Sequence, residues 1–80
     1  MENFESLEKE ILQKIISAEN EDAVEKIRVE ELGKKGRVSK LLSELGSVEP
    51  DKRKIIGPKV NDLKNIISEK IQDRKEYFIN

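Results

Sequence analysis

Residues 50–78 read PDKRKIIGPKVNDLKNIISEKIQDRKEYF. Ile56, Val60, Leu63, Ile67, Ile71, Arg74 and Phe78 recur along this stretch at steps of 4, 3, 4, 4, 3 and 4, a mean period of about 3.67 residues. That is the period of a straight α-helix with one apolar face, and it exceeds the value of about 3.5 that a supercoiled heptad imposes. Pro50 suits the first turn of such a helix, where a missing N–H has no partner to lose. At about 1.5 Å per residue, a helix over residues 50–78 spans about 40 Å. Gly57-Pro58 is its weak point, because proline removes one backbone hydrogen bond and disfavours the helical conformation of the residue before it; a kink or a short break is expected there. Arg74 interrupts the apolar face, but its stem can cover apolar surface while the guanidinium reaches water.

Upstream, Phe4, Leu7, Ile11, Ile15 and Ala18, widened by Leu12 and Ile16, predict a first helix over roughly residues 3–19. Asn20 is placed to cap a second helix carrying Ala23, Val24, Ile27 and Leu32. Gly33 then falls where helices often end on a left-handed residue. Lys34-Lys35-Gly36-Arg37 reads as a short loop, and Ser39 as the cap of a brief helix with Leu41, Leu42 and Leu45 that Gly46 stops. No stretch alternates as a half-buried strand would. The expected fold is all-α: an elongated antiparallel helical hairpin, or coiled-coil arm, with a short helix and a basic turn between the main helices. The first helix is expected to lie antiparallel beside the last, and residues 1–80 to form one domain.

Composition narrows the chemistry. The 80 residues include no His, no Cys and no Trp, which excludes Ser-His-Asp and Cys-His machinery, zinc fingers and CxxC redox chemistry. No catalytic residue and no metal ligand set is assigned. Glu5/Lys9, Glu10/Lys14 and Asp22/Lys26 fall at i, i+4 with the acid first, the arrangement that supports an exposed helix. The start lacks a basic and then apolar leader, and no segment approaches the roughly 18 apolar residues of a membrane span. A cytoplasmic setting is expected.

The net charge of −1 conceals a pattern. Residues 1–25 carry −6, and residues 26–40 carry +4 from Lys26, Arg28, Lys34, Lys35, Arg37 and Lys40 against Glu30 and Glu31. Lys34, Lys35, Arg37 and Lys40 lie within seven residues with no acid between them, and Gly33 and Gly36 flank the tightest part. Phosphates could meet both side chains and backbone N–H groups there. The segment does not complete a G-x-x-x-x-G-K-[ST] loop and no strand precedes it, so a nucleoside-triphosphate site is rejected. Phe4, Tyr77 and Phe78 are too few and too terminal for a base-stacking platform. Any nucleic acid would be met through its backbone and shape.

Arg28-Val29-Glu30-Glu31-Leu32-Gly33-Lys34-Lys35-Gly36, followed by Leu41-Leu42, Leu45-Gly46, Arg53, Gly57, Asn61 and Lys64, resembles the N-terminal helical domain of the α subunit of bacterial phenylalanyl-tRNA synthetases. The family pattern is R-V-x-aromatic-L-G-K-K-G, then G-x-x-x-N-x-x-K. The resemblance covers nearly the whole chain and implies a coiled-coil arm that contacts tRNA(Phe). It adds Arg28 and Lys64 to Lys34, Lys35, Arg37 and Lys40 as candidate RNA-binding residues, gives Gly33 and Gly36 the role of shaping the turn, and leaves Asn61 between RNA contact and structural hydrogen bonding. It also implies a parent α₂β₂ enzyme with a β subunit, in which a downstream module uses ATP and Mg²⁺; this chain alone is expected to need no cofactor and to be no enzyme. Glu31, where the family usually has an aromatic, and Pro58 depart from the pattern. A helical hairpin for protein–protein contact, or the arm of another synthetase, is the alternative.

Overall fold

The computed structural model describes residues 4–79, and every regular element among them is helical. Helices α1 (Phe4–Ser17), α2 (Glu21–Leu32) and α3 (Arg37–Glu44) are followed by a 3₁₀ turn (Leu45–Ser47) and by α4 (Pro50–Ile79). The 30 residues of α4 rise about 45 Å. That matches the longest dimension of the molecule, which measures 45 × 20 × 17 Å. α4 is the spine on which the other helices lie.

Its apolar period is realised as drawn from the sequence. Val60, Leu63, Ile67 and Ile71 are buried, with Ile56 and Phe78 packed at the margins. They meet Leu7, Ile11, Ile15 and Ala18 from the α1 segment, Val24 and Ile27 from α2, and Val38 and Leu41 from α3, in one apolar core.

The direction of the helices corrects the sequence reading. Phe4, at the start of α1, shares a cleft with Ile56 and Val60. At the other end, the Arg74 guanidinium donates 3.0 Å hydrogen bonds to the carbonyls of Ile16 and Ala18. α1 therefore runs parallel to α4. Glu25, early in α2, pairs with Lys75 near the end of α4, while Leu41 and Leu45, further along the chain, reach the Ile56–Val60 cleft. The antiparallel hairpin is thus α2 against α4, with the basic turn and α3 between them. Only residues 18–20 separate α1 from α2, so the chain doubles back at once and α2 takes the antiparallel place that the sequence reading gave to α1.

Four local expectations also change. α4 is unbroken across Gly57-Pro58. The carbonyl deprived of its partner belongs to Lys54, on an exposed stretch where water can serve it, while Ile56 and Val60 hold the helix to the core on either side. Gly33 is not left-handed; it lies at φ −68°, ψ 175°. Ser39 caps no helix, since α3 begins at Arg37 and the Ser39 hydroxyl donates to the Leu32 carbonyl at 3.0 Å. Gly46 falls inside the 3₁₀ turn that follows α3, where Arg53 ties down the carbonyls of Gly46 and Val48. Asn20 is the expected cap, its Oδ1 accepting from the Ala23 N–H at 2.8 Å.

Candidate nucleic-acid interface

The basic turn is held from below by backbone. The Gly33 N–H closes α2 on the Val29 carbonyl at 3.1 Å, the Gly36 N–H returns to the Gly33 carbonyl at 2.9 Å, and the Lys40 N–H makes the first bond of α3 to Gly36 at 2.9 Å. Glycine is required at both corners for space. A Cβ at Gly33 would lie 2.4 Å from the Val29 oxygen, and one at Gly36 would lie 2.3 Å from the Glu31 oxygen. Lys34 and Lys35 project from the tip of this turn, both exposed, and Lys40 is exposed on α3. Lys64 and Asn61 are exposed on α4. Among the described residues, Lys34, Lys35, Lys40 and Lys64 engage no carboxylate.

The two arginines behave differently. Arg28 folds onto Glu25, its Nε donating at 2.8 Å, and Lys75 joins the same carboxyl from α4. These hydrogen bonds, that from Arg28 foremost, hold Glu25 down at a pKa of about 2. Arg37 grips Glu31 with two nitrogens, Nε to Oε1 at 2.8 Å and Nη2 to Oε2, while its Nη1 donates to Glu10 of α1. Lys14 of α1 completes the cluster at 3.3 Å from Glu31 Oε2. Glu10 and Lys14, paired along the helix in the sequence reading, instead reach to Arg37 and Glu31 respectively.

Glu31 is the residue that sequence reasoning missed. Its side chain is 2% exposed, among the best buried in the molecule. The signal was present: Val24, Ile27 and Glu31 follow at steps of 3 and 4, which puts the carboxylate on the buried face of α2. The Arg37 fork, opposed by desolvation and aided by Lys14, keeps its carboxyl below the ordinary carboxylate range.

A pH dependence follows. Glu31 and Glu25 both have depressed pKa values, so the native state binds fewer protons than the unfolded chain, and their contribution is present above the unfolded carboxylate value of about 4.3 and lost as pH falls toward the native one. Around Glu31 stand Lys14 and the exposed Glu10 from α1 and Arg37 from α3. The melting temperature should be level between about pH 7 and 5 and fall steeply below about pH 4. In Glu31→Gln the fall should be shallower, and parallel profiles for the two proteins would refute the linkage.

Comparison with known proteins gives a consistent family. A family model described as aminoacyl tRNA synthetase class II, N-terminal domain, matches residues 19–79. The phenylalanine–tRNA ligase alpha subunit of Brucella anthropi is 47% identical over 75 residues, covering 94% of this chain and 20% of that subunit. Alpha subunits from Chelativorans sp. (strain BNC1) and Brucella ovis are 44% and 43% identical over the same length, with 94% of this chain covered and 21% and 20% of the relatives. The chain thus spans about a fifth of the length of the curated relatives it matches. No solved structure matches.

Proposed function

Because the chain belongs to the class II aminoacyl-tRNA synthetase N-terminal domain family, as the N-terminal domain of a phenylalanine–tRNA ligase alpha subunit, we propose that it is the arm by which such a ligase holds tRNA(Phe). The observation that carries this reading is the Gly33–Gly36 corner, which presents Lys34 and Lys35 to solvent without carboxylate partners among the described residues, in a chain whose net charge is −1. Exposed cations gathered at one tight turn, with no acid in the sequence between Glu31 and Glu44, are what a phosphate backbone recognises. Lys40 and Lys64 extend the contact, and Asn61 lies one turn before Lys64 on α4. Arg28 and Arg37 serve the fold, since both guanidinia are spent on carboxylates.

Under this reading the aminoacylation chemistry, with its ATP, Mg²⁺ and phenylalanine, belongs to the remaining four-fifths of the subunit and to its assembly with a β subunit in the cytoplasm. The arm supplies binding energy that orients the tRNA. Among the described residues no group of three or more carboxylates is placed to hold a metal ion, and no helix is long and apolar enough to cross a membrane. One feature favours protein contact elsewhere. Near the carboxyl end of α4, a groove of about 320 Å³ opens between Leu12, Ile15, Ile16, Arg74 and Tyr77, and Ile16 and Tyr77 are 64% and 66% exposed.

The test is tRNA binding by the chain as a function of salt. The dissociation constant should be on the order of 10⁻⁴ to 10⁻⁶ M at physiological salt and should rise steeply with ionic strength as counterions are released. The Lys34→Ala/Lys35→Ala double variant should flatten the log–log salt slope by roughly one to two units without changing helicity. An unchanged slope would leave the two lysines as solvated surface.

A further inference from the structure

We infer that Glu31 is a positioning residue for RNA, a buried anion that makes a cationic turn bind better by holding it still. The inference rests on the reading of Lys34 and Lys35 as phosphate contacts. Residue 31 grips the turn twice. Its backbone carbonyl lies so close under Gly36 that no side chain fits between them. Its carboxylate takes a two-pronged hold on Arg37, the first residue after the turn, and Glu10 fixes the third nitrogen of the same guanidinium from α1. On the near side, the Leu32 carbonyl is bound by the Ser39 hydroxyl. Residues 33–36 are therefore suspended between two clamped ends, and Lys34 and Lys35 leave a backbone that has little freedom to lose on binding.

Charge and geometry oppose one another here, which makes the inference decidable. Glu31 and Glu10 are carboxylates beside a cationic site, so a field-only account holds that removing either one strengthens RNA binding. Preorganisation requires the reverse for Glu31 alone. Arg37→Lys separates the two accounts even more cleanly, since it retains the charge and loses the fork.

The experiment measures tRNA affinity and its salt slope for the wild type, Glu31→Gln, Arg37→Lys and Glu10→Gln, with helicity and backbone hydrogen exchange of residues 33–37 followed in parallel. Glu31→Gln and Arg37→Lys should each weaken binding by about three- to tenfold, the scale of ordering one or two flexible groups, at an unchanged salt slope and with faster exchange in the turn. Glu10→Gln removes a charge but keeps an amide oxygen to accept the single bond from Arg37 Nη1, so it should bind as well as wild type or better. Wild-type or tighter binding by Glu31→Gln, together with wild-type binding by Arg37→Lys, would overturn the clamp while leaving the RNA reading intact. If Glu31→Gln does not fold, the charge-conserving Arg37→Lys decides alone. A wild-type chain that does not bind tRNA, or a Lys34→Ala/Lys35→Ala variant with an unchanged slope, would remove the RNA reading and the clamp's purpose with it.

Discussion

Gly36→Ala should cost this protein a large part of its stability. The added Cβ would lie 2.3 Å from the Glu31 oxygen, 2.4 Å from the Glu31 carbonyl carbon and 2.9 Å from the Leu32 nitrogen. All three are backbone atoms, so no rotamer change relieves the clash; either the last turn of α2 or the whole corner must move. Conformational preference plays no part, because φ −72° and ψ 158° are open to any residue. Overpacking against mobile side chains costs about 1–3 kcal/mol, and a clash with fixed backbone should reach the top of that range or pass it. A domain of 80 residues has about 4–12 kcal/mol in total. A fall of about 12 °C or more in melting temperature is expected, at about 4–8 °C per kcal/mol for a domain of this size. Gly46→Ala is the control: nothing lies within 4 Å of a Cβ there, and its melting temperature should stay within a few degrees of wild type. Similar melting temperatures for the two variants would refute the assignment of Gly36 to a steric role.

Ile67→Ala should be comparably damaging for a different reason. Ile67 is 0% exposed at the middle of α4, and Ile11 and Val24, from α1 and α2, are equally inaccessible within the same core. Truncating a buried isoleucine costs about 2–5 kcal/mol, the spread reflecting how far the neighbours can collapse into the space. Helices on two sides of α4 resist collapse, so the upper half of that range applies. The chain has no cysteine with which to staple a weakened core. Chemical denaturation should show the midpoint falling by about half or more, while Ile55→Ala, at a side chain 64% exposed, should move it little. Equal midpoints for the two alanine variants would mean that the core is not where the structure puts it.

These two sites show unevenly in the sequence. Ile67 was readable, since the spacing of residues 56–78 identifies the buried face of α4 one side chain at a time. Periodicity says which face of a helix is apolar and nothing about which helix covers it; the pairing of α1 with α4 was given the wrong direction for that reason. Gly33 and Gly36 are both legible as turn residues, but Gly33 does not adopt the left-handed conformation expected of it. The close approach of Gly36 to the Glu31 carbonyl is a tertiary fact with no sequence signature. The basic site was visible as a run of charge, yet a count of charges cannot separate Lys34 and Lys35, which are free of carboxylate partners among the described residues, from Arg37, which is committed to Glu31 and Glu10. Pro58 was judged by its local cost, whereas the helix continues because its neighbours at 56 and 60 are held to the core.

The parallel course of α1 and α4 also has an electrical consequence. A helix carries about half a negative charge at its carboxyl end and half a positive charge at its amino end. Where α1 and α4 finish side by side and α2 begins, two negative ends therefore meet one positive end. Asn20, Glu21 and Asp22 answer the positive one. The excess negative end is met by Arg74, whose guanidinium binds the last carbonyls at the end of α1 and rests on the rings of Tyr77 and Phe78, 4.6 and 4.8 Å from their centres. An antiparallel α1 would have brought its positive end there and repelled the same group. The direction in which α1 runs is thus recorded in the chain as one cation, at the position where the helical period calls for an apolar side chain.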